Sequence, residues 1–105
     1  MTFATHVVEG YTQDKFRAGE LDYAGRGMPI ELWGKPEFVL RAIAVHNRVV
    51  REIAARPDVA LVDQQAEMPV GGRHFVDMCH LTEEGLGALV ANLVSGIEKH
   101  GLGPR

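Results

Sequence analysis

Serine occurs once in this 105-residue chain, at Ser95, and cysteine once, at Cys79. A lone cysteine excludes an intrachain disulfide and a multi-thiolate zinc site, and it is compatible with a reducing compartment. Basic residues are not in excess: 11 Lys and Arg stand against 14 Asp and Glu, for a formal charge of -3. The sequence therefore carries no basic stripe of the kind that nucleic acid demands. It also lacks any run of about 18 apolar residues, so no membrane span is expected. The first residues, Met1-Thr2-Phe3-Ala4-Thr5-His6, have neither a basic region nor a long apolar stretch and are no secretory signal. What remains is ordinary globular composition, 46% hydrophobic and 24% charged, enough for one domain with a modest core.

Along the chain, Thr2–Val8 is β-branched and apolar and reads as a strand that begins almost at Met1. Residues 10–35 have no convincing period and read as a long loop. That stretch holds Tyr11, Phe16, Tyr23 and Trp33, four of the seven aromatics, which argues against disorder. It reads equally as a pocket rim, with Tyr23 and Trp33 as lining candidates, or as a plain core cover. Pro36 and Glu37 open a helix whose stripe is Val39, Ile43, His46, Val50 and Ile53, and Pro57 stops it. On that stripe His46 is expected to be a partly buried, hydrogen-bonded residue. Val59–Asp63 reads as a short buried strand, with Asp63 capping the turn after it. A final helix is capped by Thr82, presents Leu86, Leu89, Val90, Leu93, Val94 and Ile97, and stops at Gly101. Strand, helix, strand and helix imply an α/β unit with parallel strands, too narrow a sheet to be complete and thus open to self-association.

The chemistry concentrates in Phe75-Val76-Asp77-Met78-Cys79-His80-Leu81-Thr82. An Asp three residues before a His at a helix entrance can reach the imidazole Nδ1–H, fix the tautomer and leave Nε2 as a base. Other readings of the same residues are weaker. Cys79 beside His80 suggests a thiol nucleophile, but neighbouring side chains tend to point apart. His74, Asp77, Cys79 and His80 offer metal-ligand atoms without the regular spacing of a metal motif. Gly71-Gly72 is too short to be a phosphate loop.

Asp77-Met78-Cys79-His80-Leu81-Thr82-Glu83-Glu84-Gly85 resembles the last motif of the SGNH hydrolases, the GDSL-type esterases and lipases: D-x-x-H, then Ser or Thr, then a helix with an early Gly. The likeness runs upstream through Asn47–Ala54 and Val59–Asp63 and covers about residues 37 to 100, with Met1–Val8 similar to the strand before them. The resemblance implies a three-layer α/β/α, flavodoxin-like domain of which residues 1–105 form the C-terminal portion. It implies a Ser-His-Asp triad in which Asp77 orients His80 and His80 is the general base and acid. The implied substrate is a carboxylic ester, acyl or acetyl, of a small molecule, lipid or sugar, and the family needs no cofactor or metal.

The family's G-D-S and G-x-N-D motifs are absent, and Ser95 sits about three and a half turns past Thr82 in the last helix. The chain by itself is therefore expected to be inactive, with the nucleophile in a complementing N-terminal half. A cytoplasmic location is the expectation, and any signal peptide would belong to that half. The alternative is a non-catalytic truncated module that pairs with another chain.

Overall fold

The structure, a computed structural model, describes residues 1–8, 14–15, 18 and 36–104. Tyr23, Trp33 and nearly all of the expected 10–35 loop lie outside the described residues. Three helices organise the rest: α1 (Pro36–Ala54), α2 (Gln64–Glu67) and α3 (Glu83–Lys99).

Helix α1 starts at its proline, where the missing N–H costs nothing, and carries Glu37 in its first turn and Arg51 in its last, both matched to the helix dipole. Thr82 caps α3 by accepting the Gly85 N–H at 3.0 Å. At the other end Gly101 takes φ +65°, the left-handed region where a side chain is strained. The Gly101 N–H reaches the Glu98 carbonyl at 3.1 Å and the Leu102 N–H the Ile97 carbonyl at 2.9 Å, so the last carbonyls of α3 are satisfied. None of the helices of the described residues is long and apolar enough to cross a membrane.

The expected α/β domain of parallel strands is overturned. Among the described residues there is no sheet, only an isolated antiparallel bridge between Phe75 and Leu81. Residues 2–8 and 59–63 run without regular secondary structure and touch through one backbone bond, from the Thr2 N–H to the Val62 carbonyl at 3.1 Å. A ladder needs a run of such bonds, and side-chain contacts hold the N-terminal segment instead. The buried Asn47 amide accepts the Phe3 N–H at 2.8 Å and donates to the Phe3 carbonyl at 2.7 Å, tying the N-terminal segment to α1. Below it the Thr2 hydroxyl donates to Asp63 Oδ1 at 2.7 Å and accepts the Gln65 N–H at 3.1 Å. Side chains thus fasten the N-terminal segment to α1 and to the start of α2.

Along α1 the expected apolar stripe faces inward at Val39, Ile43 and Val50 and departs from expectation at His46 and Ile53. Val39, Ile43, Asn47 and Val50 face inward, while Ile53 is 51% exposed. His46, expected on the buried stripe, is exposed, with its ring 4.9 Å from that of Phe3. Among the described residues the buried apolar set is small: Met68, Phe75 and Met78, with Val7, Val8 and Val39 partly buried against Met78. Thr2, Asn47, Gln64 and Asp77 are buried beside them, so polar side chains carry much of the tertiary structure. Gln64 is one of these. It donates to the Leu89 carbonyl at 3.2 Å and accepts from Asn92 at 2.9 Å, joining α2 to α3.

Two glycines let α3 approach its neighbours. A Cβ at Gly85 would strike the His74 carbonyl, and one at Gly96 would meet Val62 Cγ2 at 2.5 Å. The approach at Gly85 seats the start of α3 against the segment that carries the candidate site.

Replacing Asn47 with Ala would remove both bonds to the Phe3 backbone in a half-buried setting, and should lower unfolding stability by about 1–2 kcal/mol, read from a denaturant midpoint. A second expectation concerns acid. Arg51 binds Asp63 through two nitrogens, each at 2.9 Å, and this pairing holds the Asp63 carboxyl below its ordinary value against the opposing effect of burial, with Thr2 and the Ala66 N–H assisting. A carboxyl lowered by folding adds stability above its unfolded value, and that stability is lost as pH falls through the folded one. Asp63→Asn should therefore be less stable than the wild type at neutral pH, and the gap should close as pH drops below about 4.

Candidate active site

The segment between Gly71 and Thr82 turns back on itself. Gly71, at φ +130°, begins the turn, and its carbonyl accepts the N–H groups of His74 and Phe75, both at 3.0 Å. The Val76 N–H then donates to the His80 carbonyl at 2.8 Å and the Thr82 N–H to the His74 carbonyl at 3.0 Å, closing a loop over residues 76–80. Thr82 serves both sides, since its hydroxyl also donates to the Arg73 carbonyl at 2.7 Å while capping α3.

Asp77 sits inside that loop with 1% of its surface exposed. Its Oδ1 accepts the N–H groups of Cys79 at 2.9 Å and His80 at 2.8 Å, and its Oδ2 lies 2.8 Å from His80 Nδ1. Burial works to raise the Asp77 carboxyl, and the two backbone N–H groups, with the His80 ring, outweigh it, so the carboxyl lies below its ordinary value. An ionised carboxylate only accepts hydrogen bonds. Nδ1 of His80 must therefore carry the hydrogen in this contact, which makes Nε2 the basic nitrogen of the neutral ring. The His80 side chain is 59% exposed while its orienting carboxylate is buried. That combination suits a group that exchanges protons with something outside the loop. Thr5 holds the loop from the other side, its hydroxyl donating to the Met78 carbonyl at 2.6 Å.

Cys79 does not take the place of a nucleophile, although its Sγ lies 3.5 Å from His80 Nδ1, nearer than neighbouring residues usually bring their side chains. The sulfur faces the nitrogen whose hydrogen is committed to Asp77, not the basic one. Desolvation, and after it the charge of Asp77, pushes the thiol up to about 11, so it is protonated at neutral pH.

The same facts bear on a metal. One ligand atom each from Asp77, Cys79 and His80 lie within 4.8 Å of one another. The carboxylate already accepts three hydrogen bonds, however, and a metal-bound cysteine must lose its proton. These three side chains are built as a hydrogen-bonded pair with a neutral thiol beside it. His74, named with them from the sequence, sits elsewhere, with Nε2 4.0 Å from Glu84 and a buried Nδ1 that has no partner among the described residues.

Ser95 lies twelve residues beyond Glu83 on an exposed part of α3, about 18 Å along the helix axis. It is not in this site. Asp63, expected to cap the following turn, does cap α2 by accepting the Ala66 N–H at 3.3 Å, and its other contacts are structural. Thr5 escaped the sequence reading because its partner is 73 residues away, and no local pattern marks such a contact. No family model, curated protein or solved structure matches the chain.

In Asp77→Asn the amide oxygen can still accept the Cys79 and His80 N–H groups, but its NH2 must then face the ring and needs an acceptor there. The neutral His80 ring should change from the Nδ1–H to the Nε2–H tautomer with little change in fold. Nitrogen-15 NMR of the imidazole reads this directly, and an unchanged tautomer would count against the orienting role of Asp77.

Proposed function

We propose that Asp77 and His80 are the orienting carboxylate and the general base and acid of a serine ester hydrolase whose nucleophile lies on a segment other than this chain. The observation that carries the reading is the buried carboxylate 2.8 Å from Nδ1 of a ring whose side chain is 59% exposed. The likeness of Asp77–Gly85 to the closing motif of the SGNH hydrolases supports it from the side of sequence.

The chemistry follows from the tautomer. Nε2 of His80 takes the proton of an incoming serine hydroxyl as its oxygen attacks the ester carbonyl, and Asp77 stabilises the imidazolium that forms. The tetrahedral adduct collapses when His80 returns the proton to the leaving alcohol, giving an acyl-serine. Water then repeats both steps and frees the acid. His80 supplies the proton traffic, and the nucleophile and oxyanion donors must come from the complementing segment.

A second reading, a non-catalytic module that pairs with another chain, draws on the surface of α3. Leu86, Val90, Val94 and Ile97 recur at helical spacing and are between 42% and 53% exposed. The two readings meet if the partner brings the serine.

The test is hydrolysis of 4-nitrophenyl esters by the product of the whole open reading frame that contains this sequence. His80→Ala should lower turnover by roughly 10⁴ to 10⁶ and Asp77→Asn by about 10⁴. Turnover in His80→Ala equal to that of the wild type would remove His80 from the mechanism.

A further inference from the structure

The Met78–Cys79 peptide group stands between two hydrogen bonds that face opposite ways. Its carbonyl accepts the Thr5 hydroxyl at 2.6 Å, and its N–H donates to Asp77 Oδ1 at 2.9 Å. No cis peptide occurs among the described residues, and in a trans peptide the carbonyl and the N–H point to opposite sides of one rigid plane. Fixing the oxygen therefore fixes the N–H. The other oxygen of the same carboxylate lies 2.8 Å from His80 Nδ1, so an unbroken run of bonds leads from Thr5 through one peptide group and Asp77 to the imidazole.

The start of this run is itself anchored. Before Thr5, the Phe3 N–H and carbonyl are both held by the buried Asn47 of α1, and after it Val7 and Val8 pack against Met78. The hydroxyl is thus placed by α1 and not by the loop it serves. Met78 is 1% exposed, which leaves little water to take over its carbonyl if the hydroxyl is lost. A donor on the carbonyl also polarises the peptide group and strengthens the bond that its N–H makes. That bond matters because burial works to raise the Asp77 carboxyl, and the Cys79 N–H is foremost among the groups that oppose it. The titratable groups set against Asp77 among the described residues are the His80 ring and the Cys79 thiol, both from its own loop, while the N-terminal segment contributes the uncharged Thr5 hydroxyl.

We propose that Thr5 is a positioning residue for His80: by holding the Met78 carbonyl it aims the Cys79 N–H at Asp77 and so keeps that carboxylate turned toward the ring. Its bearing on catalysis rests on the hydrolase reading. Its bearing on Asp77 does not.

Thr5→Val keeps the branched shape and removes the donor, and Thr5→Ser keeps the donor. Both are made in the product of the whole open reading frame that contains this sequence. In Thr5→Val the Cys79 amide proton should move upfield in proton–nitrogen NMR spectra as its bond to Asp77 weakens, while the amide proton of His80, which belongs to the next peptide group, should hold its position. Carbon-13 NMR should find the Asp77 carboxyl titrating at higher pH than in the wild type. Turnover of a 4-nitrophenyl ester should fall about ten- to a hundredfold with KM little changed. Thr5→Ser should keep all of these near the wild type, and Thr5→Ala replaces Thr5→Val in the comparison if that variant does not fold. An unmoved Cys79 amide would overturn the proposal, and so would equal movement of both amides, which marks a general loosening of the loop. Failure of the hydrolase reading looks different: the NMR changes would appear in Thr5→Val while His80→Ala left ester turnover unchanged.

Discussion

A carboxylate is costly to bury, and the loop between Phe75 and Thr82 is organised around that cost. Asp77, all but removed from solvent, recovers its lost hydration from the Cys79 and His80 N–H groups and from the His80 ring. Two of these donors are backbone groups that would otherwise lie unpaired inside a tight turn. The carboxylate therefore fixes the backbone of the turn and the orientation of the imidazole with the same three bonds, and the turn delivers the chain into the Thr82 cap of α3. Loop, ring and helix start form one hydrogen-bonded unit.

What was legible in the sequence was local. Thr82, Gly101 and Pro36 act on their nearest neighbours, and each marks a helix end in the structure. The Asp77–His80 contact spans three residues, so spacing alone suggested it. The contacts that carry the tertiary structure span far more: Thr2 meets Asp63 across 61 positions and Asn47 meets Phe3 across 44. An amide that satisfies a backbone N–H and carbonyl leaves no periodic trace. The strand expectation failed for the same reason. β-Branched composition in Thr2–Val8 and Val59–Asp63 favours an extended backbone, but a ladder needs a run of backbone bonds, and among the described residues the two segments share the Thr2–Val62 bond alone.

The helices tell a related story about surface. The apolar stripe expected on α1 holds at Val39, Ile43 and Val50 and fails at His46 and Ile53, which hydrophobic spacing alone places inside, whereas the buried residue at that point is Asn47. A single polar side chain with two backbone bonds sets the rotation of the helix against its mildly apolar faces. The consequence is a chain whose interior contains as many polar side chains as its small core can satisfy and whose outer faces keep much hydrocarbon.

Gly85 and Gly96 stand eleven residues apart on α3, three turns and a little more, which returns them to nearly the same side of the helix. One faces the His74 carbonyl and the other the Val62 side chain, and between them Gln64 holds the helix at Leu89 and Asn92. Such a helix tolerates wide variation on its outer face and little at its seats, least of all at Gly85, where the obstacle is backbone. Its sequence behaves like a key with two notches: a replacement helix of any outer composition would fit if it kept a small residue at both positions, and one with better propensity throughout would lift off the loop that carries the imidazole.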